Sequence, residues 1–453
     1  MSVFILFATF ALLVIASVPI AISLGMATLL TIISTGTLSV DFLVSTLITS
    51  VDSFPIMAVP FFILAGDIMG SGGISQRLVN FANSLVKNIT GGFAIASIIT
   101  CMFFAAISGS GPATVAAVGG IMIPAMIKYG YDKGFATAVV TAAGAIGVMI
   151  PPSIPMVMYG VSAGVSIGDL FIAGIIPGIL VSLCLMAWAY IYSKKKGYKG
   201  SDEPFSWKEV WAQFKHAQLA LLIPVIILGG IYGGIFTPTE AAAVAAVYAF
   251  FIANFIYKDM GPFADKKNTK PALVKVFQTF FHKDTKDTLY DAGKLTIMLL
   301  FIIANALILK HVLTEERIPQ MITESMLSAG LGPITFLIVV NVLLLIGGQF
   351  MEPSGLLIIV APLVFPIAIA LGIDPIHLGI MMVVNMEIGM ITPPVGLNLF
   401  VTAGVAKMSM MNVVKAALPW VGVMFLFLII VTYVPWVSTW LPTTLMGPEI
   451  ITK

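Results

Sequence analysis

The sequences IGVMIPP at residues 146–152 and IGMITPP at residues 388–394 each place two adjacent prolines in the middle of a long apolar run. Because proline has no N–H, it removes the hydrogen bond to the carbonyl four residues earlier in a helix. In lipid, a stranded carbonyl is tolerated only where it lines a cavity or is buried in protein. The carbonyls expected to be stranded are those of Gly147, Val148, Gly389 and Met390.

The two stretches belong to an internal duplication with an offset of 242 residues, from Pro151 to Pro393. At this offset residues 107–178 align with residues 349–420 without a gap. A run of matches at one offset indicates a repeat rather than chance. The other matched pairs are Pro124 and Pro366, Gly130 and Gly372, Asp132 and Asp374, and Pro177 and Pro419. Two broken helices at corresponding positions of two halves are typical of a transporter binding site.

The composition is that of a polytopic membrane protein. Of the 453 residues 59% are hydrophobic and 10% are charged, whereas soluble domains carry about 25% charged residues. Cys101 and Cys184 both lie in apolar segments, so no disulfide framework is predicted. No basic patch suited to nucleic acid is present, and no organic cofactor is expected.

Each repeat also contains a pair of short apolar arms around a polar tip. The first pair is 92–107 and 115–128, and the second is 333–350 and 356–371. Arms this short predict a re-entrant hairpin rather than two crossings. The fold class we predict is therefore an all-α polytopic membrane protein with two repeats. Each repeat has a re-entrant helical hairpin followed by a broken transmembrane helix, at 133–163 and 375–405.

The distribution of basic residues predicts the topology. Lysine-rich loops at 194–217 and 258–287 are placed in the cytoplasm by the positive-inside rule. Counting crossings from them leaves three of the 23 Lys and Arg residues outside, namely Lys310, Arg317 and Lys453. Five crossings then separate the two hairpin tips, so the hairpins open from opposite sides. The repeats are expected to have inverted topology, with both termini outside.

Four stretches carry a family resemblance. They are SGSGPATVAAVGGIMIP at 108–124, IGVMIPPSIPMV at 146–157, FTPTEAAAVAA at 236–246 and IGMITPPVGLNLFV at 388–401. Together they resemble the large membrane subunit of tripartite ATP-independent periplasmic (TRAP) transporters, within the ion transporter superfamily. The resemblance covers essentially the whole chain and is nearest to the sialic-acid branch.

The resemblance implies a sodium-driven, elevator-type importer of an organic acid in a bacterial inner membrane. The expected substrate is sialic acid (N-acetylneuraminate), otherwise a C4-dicarboxylate. The implied partners are a small four-helix membrane subunit and a periplasmic substrate-binding protein. The alternatives left open are an autonomous sodium- or proton-coupled anion carrier, an intramembrane enzyme and a channel. The enzyme is disfavoured because no catalytic constellation of side chains is visible, and paired hairpins suit alternating access better than a channel.

The elevator interpretation divides the chain into transport and scaffold parts. Residues 92–178 and 331–405 are the two expected transport-domain repeats, each with its hairpin and its broken helix. Residues 1–91 and 179–330 are expected to be scaffold and arm helices, the latter with the cytoplasmic loops. Residues 406–453 are the expected C-terminal scaffold helix.

Two sodium sites are predicted where each hairpin tip meets a break, because sodium is a hard cation that prefers oxygen ligands. The alternative is that these small residues serve close helix packing. The ligands predicted for the first site are Ser108, Ser110, Gly147 and Pro151, and those for the second are Gly348, Glu352, Gly389 and Thr392.

The substrate is expected between the sodium sites, near the second halves of the broken helices. An anion favours helix N-termini and hydroxyl or amide donors. The candidates are Ser153, Tyr159, Asn398 and Thr402, each with an ordinary helix–helix hydrogen bond as the alternative.

Three acidic residues have open roles. Asp67 and Glu387 lie in apolar runs, where an acid indicates function unless it pairs with a lysine or caps a helix. Glu240 lies in Thr237-Pro238-Thr239-Glu240, which favours a capping box over ion binding.

Overall fold

A computed structural model describes residues 2–36, 38–201, 203–265, 270–328, 330 and 332–447. In these ranges the regular secondary structure is helical, and eight helical stretches are long and apolar enough to cross a membrane. The predicted all-α polytopic fold is confirmed.

Five helices precede the first hairpin. They are α1 (Ser2–Ile15), α2 (Ile20–Thr35), α3 (Val40–Thr49), α4 (Ala58–Ser71) and α5 (Ile74–Val86). The first repeat follows with α6 (Gly92–Ser108), α7 (Gly111–Lys128), α8 (Lys133–Gly144), the 3-10 turn Ala145–Val148, α9 (Ile154–Ala163) and α10 (Ile167–Lys196).

Five helices connect the repeats. They are α11 (Trp207–Tyr232), α12 (Pro238–Phe251), α13 (Ala272–Phe281), α14 (Lys283–Glu315) and α15 (Ile318–Ser328). The second repeat consists of α16 (Pro333–Gly348), α17 (Pro353–Ala370), α18 (Pro375–Met390), α19 (Leu397–Ala406), α20 (Met410–Tyr433) and the short α21 (Trp436–Met446).

The duplication is present in the helix boundaries. Helix α7 and helix α17 begin and end 242 residues apart. Asp132 caps α8 by accepting from the Phe135 amide, and Asp374 caps α18 by accepting from the His377 amide. Between the hairpins lie the broken helix α8–α9 and helices α10, α11, α12 and α14, the five crossings that the inverted topology requires.

The hairpin tips are shorter than the sequence suggested. Helix α7 begins at Gly111 with Pro112 in its first turn, so the predicted polar insert 108–114 is largely helical. Proline suits the first turn because its missing N–H would have no helical partner there. In the second hairpin Glu352 ends the tip, and its carboxylate accepts from the Gly355 amide at 3.2 Å.

Helix α12 starts with the predicted capping box. The Glu240 amide donates to the Thr237 hydroxyl at 3.3 Å, and a Glu240 carboxylate oxygen accepts from the Thr237 amide at 2.8 Å. Two backbone N–H groups at this helix end thereby donate to side-chain oxygens of the capping box, which confirms the structural interpretation of Glu240.

Helix α14 packs on α2 and α4, and α12 packs on α4 and α11. Helix α5 packs on α11 and also on α6 of the first hairpin, and α14 and α15 pack on α17 of the second hairpin. Helix α10 packs on α6, α9 and α18, while α20 packs on α8, α18 and α19. Helices α10, α20 and α21 therefore join the hairpins and broken helices, and the predicted boundary at residues 178 and 179 falls inside the continuous helix α10.

Lys87, the residue after α5, forms ion pairs with the segment that follows α10. The Lys87 side chain is 8% exposed, and its ammonium donates to Glu203 at 2.8 Å and to Glu209 at 2.7 Å. Hydrogen bonds to these two carboxylates raise the pKa of Lys87 above its ordinary value. These bonds keep the Lys87 ammonium charged where the lysine-rich loop 194–217 meets the end of α5.

Candidate functional site

The first hairpin tip and the first break are in contact. A Cβ atom at Gly147 would lie 2.8 Å from both the Ser110 carbonyl oxygen and the Thr114 hydroxyl. A Cβ atom at Gly109 would lie 2.8 Å from the Pro152 carbonyl oxygen. Glycine is thus required for this close approach, and the tip touches the break at Gly147 and at the Pro152 carbonyl.

Three oxygens of the tip form a compact triangle. The Thr114 hydroxyl donates to the Ser110 carbonyl at 2.8 Å and lies 3.1 Å from the Ser108 hydroxyl. The Ser108 hydroxyl lies 3.5 Å from the Ser110 carbonyl oxygen. These are neutral oxygen groups in the spacing that a hard cation could bridge. Thr114 was not among the predicted ligands, although its hydroxyl lies between the two predicted serines.

The carbonyls of the first break are available to a ligand. Within the described ranges neither the Gly147 nor the Val148 carbonyl accepts a hydrogen bond. Their donors would have been the amides at positions 151 and 152, which are prolines. The free carbonyls of the first break therefore follow directly from its two adjacent prolines.

The second break differs from the first. The Gly389 carbonyl accepts from the Thr392 amide at 3.1 Å, so the expectation that it is stranded is wrong. The chain turns back after Ile391, which brings that amide within reach. The Thr392 hydroxyl donates to the Ile388 carbonyl at 2.6 Å. The Met390 and Thr392 carbonyls point instead toward Gly396, where a Cβ atom would lie 3.0 and 2.9 Å from them.

The second hairpin also meets its break through backbone. A Cβ atom at Gly389 would lie 2.7 Å from the Cα and carbonyl carbon of Gly348. The Gly396 amide donates to the Gln349 carbonyl at 3.0 Å. Of the residues predicted for the second site, Gly348 and Gly389 are brought together, and Thr392 and Glu352 lie beside them in the break and the tip.

The four predicted substrate residues have different surroundings. Ser153 caps α9 by accepting from the Met156 amide, and Tyr159 donates to the Pro375 carbonyl at 2.7 Å. Thr402 donates to the Asn398 carbonyl at 2.6 Å and lies 3.0 Å from the Thr141 hydroxyl. These three side chains have structural partners.

Asn398 is different because its amide group has no partner. The side chain is fully buried, and neither Oδ1 nor Nδ2 makes a hydrogen bond in the described part of the chain. A Cβ atom at Gly111 would lie 3.2 Å from both amide atoms. Asn398 therefore presents a free donor and a free acceptor where the second broken helix meets the first hairpin.

The family profile of the tripartite ATP-independent periplasmic transporter, DctM component, matches residues 7–437. The chain belongs to the DctM family. Members are the large permease subunits of TRAP transporters, so the chain is a multi-pass bacterial membrane transporter subunit and not an enzyme.

The chain is also similar to two named members of the DctM family and to one solved structure. It is 68% identical to the C4-dicarboxylate TRAP transporter large permease protein DctM of Vibrio cholerae over 455 residues, covering 100% of both chains. It is 35% identical to the sialic acid TRAP transporter large permease protein SiaM of the same species over 432 residues, covering 95% and 96%. The Alcanivorax borkumensis YdaH transporter shares the fold with a TM-score of 0.57, covering 90% of each chain at 13% identity.

Asp67 follows Gly66, where a Cβ atom would lie 3.2 Å from the Ser108 Cα of the first hairpin tip, and it lines a cavity between α4 and the first hairpin of this DctM chain. The cavity has a volume of about 610 Å³ and reaches Ala113 and Ala116 on α7. Its acidic lining residues are Asp67, Asp259, Asp284, Asp287 and Asp291. The sequence showed the acid in the apolar run, but only the fold brings the other four beside it.

Proposed function

We propose that this DctM chain imports a C4-dicarboxylate in a sodium-driven, three-component transporter. The choice of substrate is supported by the 68% identity over both full chains to a permease named for C4-dicarboxylates, against 35% to one named for sialic acid. This favours the second of the two substrates expected from the sequence.

The chemistry around Asn398 suits a small dianion. Asn398 lies in the first turn of α19, after Gly396, which is the N-cap residue. A helix N-terminus offers free amide N–H groups and a positive dipole end to an anion. The unpaired Asn398 amide adds a side-chain donor at the same place. The proposed substrate carboxylate binds there, without an arginine clamp.

Sodium is proposed as the coupling ion at the first tip and break. The triangle of Ser108, Ser110 and Thr114 oxygens lies against Gly147, whose carbonyl accepts no hydrogen bond from the described residues. A hard cation bound there would take only neutral oxygen ligands. The second tip and break, with the free Met390 and Thr392 carbonyls, are the proposed counterpart.

The proposed partners follow from the tripartite family description. A small four-helix membrane subunit would hold the scaffold helices in place, and a periplasmic binding protein would deliver the substrate. The moving part is proposed to comprise α6–α10 and α16–α21, which extends the range expected from the sequence to include α10, α20 and α21. Their packing on both broken helices supports this extension.

Uptake by reconstituted proteoliposomes tests the function. With both partner components present and sodium outside, labelled succinate should accumulate, and N-acetylneuraminate should not. Replacing sodium by choline, or omitting the binding protein, should each abolish accumulation. Succinate uptake without the binding protein would favour the autonomous carrier, and accumulation of N-acetylneuraminate instead would refute the proposed substrate.

The sodium site can be tested at Thr114. Thr114→Val removes one oxygen of the triangle and should raise the sodium concentration for half-maximal uptake about tenfold, since one hydrogen-bond-sized contact is worth roughly 1–1.5 kcal/mol. Thr100→Val is the matched control, because the Thr100 hydroxyl donates within α6 to the Ala96 carbonyl at 2.7 Å. An equal sodium dependence in both variants would remove Thr114 from the site.

The proposed orientation places both termini and the α11–α12 turn in the periplasm. In a background with Cys101 and Cys184 replaced by alanine, an impermeant thiol reagent applied to periplasm-accessible cells should label Ile235→Cys. Ile235 is 71% exposed in that turn. Lys195→Cys, in the exposed last turn of α10, should be labelled only after the inner membrane is opened. The reverse pattern would overturn the positive-inside argument.

A further inference from the structure

The second half of each broken helix ends at a carbonyl that accepts a hydrogen bond from a lysine. On α19 the Lys407 carbonyl, at the C-cap position, accepts from the Lys133 ammonium at 3.1 Å. On α9 the Ser162 carbonyl, one residue before the end of the helix, accepts from the Lys310 ammonium at 2.8 Å. A cation suits this end of a helix, where the dipole is negative and the last carbonyls have no helical partners.

The two lysines come from different parts of the molecule. Lys133 is the first residue of α8, so its bond joins two helices that are proposed to move together. Lys310 lies in α14, so its bond joins the scaffold to the moving body. Another hydrogen bond of α9, from the Tyr159 hydroxyl to the Pro375 carbonyl at 2.7 Å, stays within the moving body. The Lys310 bond therefore has to break when the body slides along the scaffold.

The surroundings of Lys310 make this bond important for its ammonium. The side chain is partly buried, in a helical stretch that is long and apolar enough to cross the membrane. It forms no ion pair with the residues that the structure describes. An uncompensated charge in such a place is unfavourable. The Ser162 carbonyl therefore stabilises the ammonium as long as α9 and α14 keep this relative position.

The Lys310 bond lies at the outer end of the contact between scaffold and moving body. In the proposed orientation both α9 and α14 end on the outer side, where α17 of the second hairpin also packs on α14 and α15. The cavity of about 610 Å³ lies toward the inner end, between α4, the start of α14 and α7 of the first hairpin. The described arrangement is thus closed at the outer end and has its free space at the inner end.

We propose that Lys310 is a positioning residue of the transport cycle, which holds the moving body in this inward-facing position. When the body slides outward, the Ser162 carbonyl leaves the ammonium, and water at the outer surface takes its place on both groups. The bond of Lys133 travels with the body and is kept throughout. This proposal rests on the moving body of the proposed function.

Distances between two spin labels measure the position of the body without any transport. With Cys101 and Cys184 replaced by alanine, the labels are placed at Ile235→Cys in the α11–α12 turn and at Ala370→Cys at the end of α17, both exposed. The chain is measured in lipid nanodiscs with its small subunit. Lys310→Met should raise the ratio of the outward to the inward-facing position about 10- to 150-fold, the factor that a hydrogen bond to a charged group contributes to an equilibrium.

Three further variants make the result specific. Lys133→Met removes the corresponding bond inside the moving body and should leave the distances unchanged. Lys310→Arg keeps a charged donor and should restore most of the inward-facing population. A lysine that only stabilised the fold would lower the melting temperature of Lys310→Met without changing the distances. If Lys310→Met does not fold, Lys310→Gln keeps a neutral donor and should show a smaller shift in the same direction.

The outcomes separate this proposal from the proposed function. Equal distances in Lys310→Met and the wild type, with both positions populated, would overturn the role of Lys310 and leave the moving body intact. A single distance in the wild type and in all variants, also with the binding protein and succinate added, would contradict the moving body and this proposal together. Succinate uptake by the wild type in the three-component proteoliposomes would then still decide the proposed function.

Discussion

Replacing Asn398 with leucine should lower the rate of succinate uptake at subsaturating substrate by roughly 10- to 150-fold. A hydrogen bond to a charged group is worth about 1.5–3 kcal/mol, and each 1.4 kcal/mol is a tenfold change. The reason is the free amide, which has no partner among the residues that the structure describes and lies at the N-terminus of α19. The measurement is initial uptake in the three-component proteoliposomes.

The same substitution should leave stability unchanged or raise it. An unpaired buried amide costs free energy, so an apolar side chain of similar volume removes that cost. If the Asn398 side chain instead made a structural hydrogen bond, the same substitution would lower the stability. Melting of the purified variant therefore separates binding from folding, and a lower melting temperature with normal uptake would contradict the assignment of Asn398.

Two controls make the result specific. Asn254→Leu removes an amide that donates to the Phe250 carbonyl in the scaffold, and it should leave the dependence on succinate unchanged. Gly111→Ala places a Cβ atom 3.2 Å from the Asn398 amide and should impair uptake. Gly120→Ala, further along the same helix with nothing within 4 Å of the added Cβ, should not.

The hairpins and breaks could be predicted from local sequence because the prolines and the polar tips act locally. Pro151 and Pro152 remove two N–H groups wherever they lie in a helix, and the Gly147 carbonyl accepts no hydrogen bond in the described ranges, as expected. The offset of 242 residues also matched the two hairpins to each other. The contacts of Gly147 with the first tip and of Gly389 with the second followed from the same repeat.

What could not be predicted depends on the path of the chain after a break and on contacts between repeats. The Gly389 carbonyl regains a partner because the Thr392 amide turns back toward it. Asn398 lacks a partner because it faces Gly111, which has no side chain and comes from the other repeat. Neither outcome is encoded by spacing within one segment.

The packing partners of the long apolar helices could be predicted only in part. Hairpins and breaks belong together by their chemistry, but α10 and α20 are apolar helices that could pack on either group. Nothing in the sequences of α10 and α20 indicates which helices they pack on. The structure packs both against broken helices, and a Cβ atom at Gly134 on α8 would lie 3.6 Å from the Cβ of Ala416 on α20.

A crosslink between Gly168→Cys on α10 and Ile231→Cys on α11 should abolish uptake. These positions lie outside the proposed sites, and a Cβ atom at Gly168 would lie 3.7 Å from Cγ2 of Ile231. In the proposed mechanism α10 moves with the hairpins while α11 stays with the scaffold. Sliding as one body keeps the free carbonyls out of lipid, where each would cost several kcal/mol.

The matched control is a crosslink inside the moving body. Gly134→Cys and Ala416→Cys place their Cβ atoms about 3.6 Å apart, within the range of disulfides. Because α8 and α20 are proposed to move together, this crosslink should leave uptake intact. Loss of uptake here would return α20 to the scaffold, as the sequence alone suggested for residues 406–453.

The most direct test of the moving-body mechanism is succinate uptake by the Gly168→Cys/Ile231→Cys transporter before oxidation, after complete oxidation and after reduction. The moving-body mechanism predicts normal uptake, no uptake and restored uptake in that order, while the Gly134→Cys/Ala416→Cys transporter keeps its activity throughout. Undiminished uptake with the 168–231 crosslink fully formed would contradict this mechanism and favour gating by the hairpins around a fixed site.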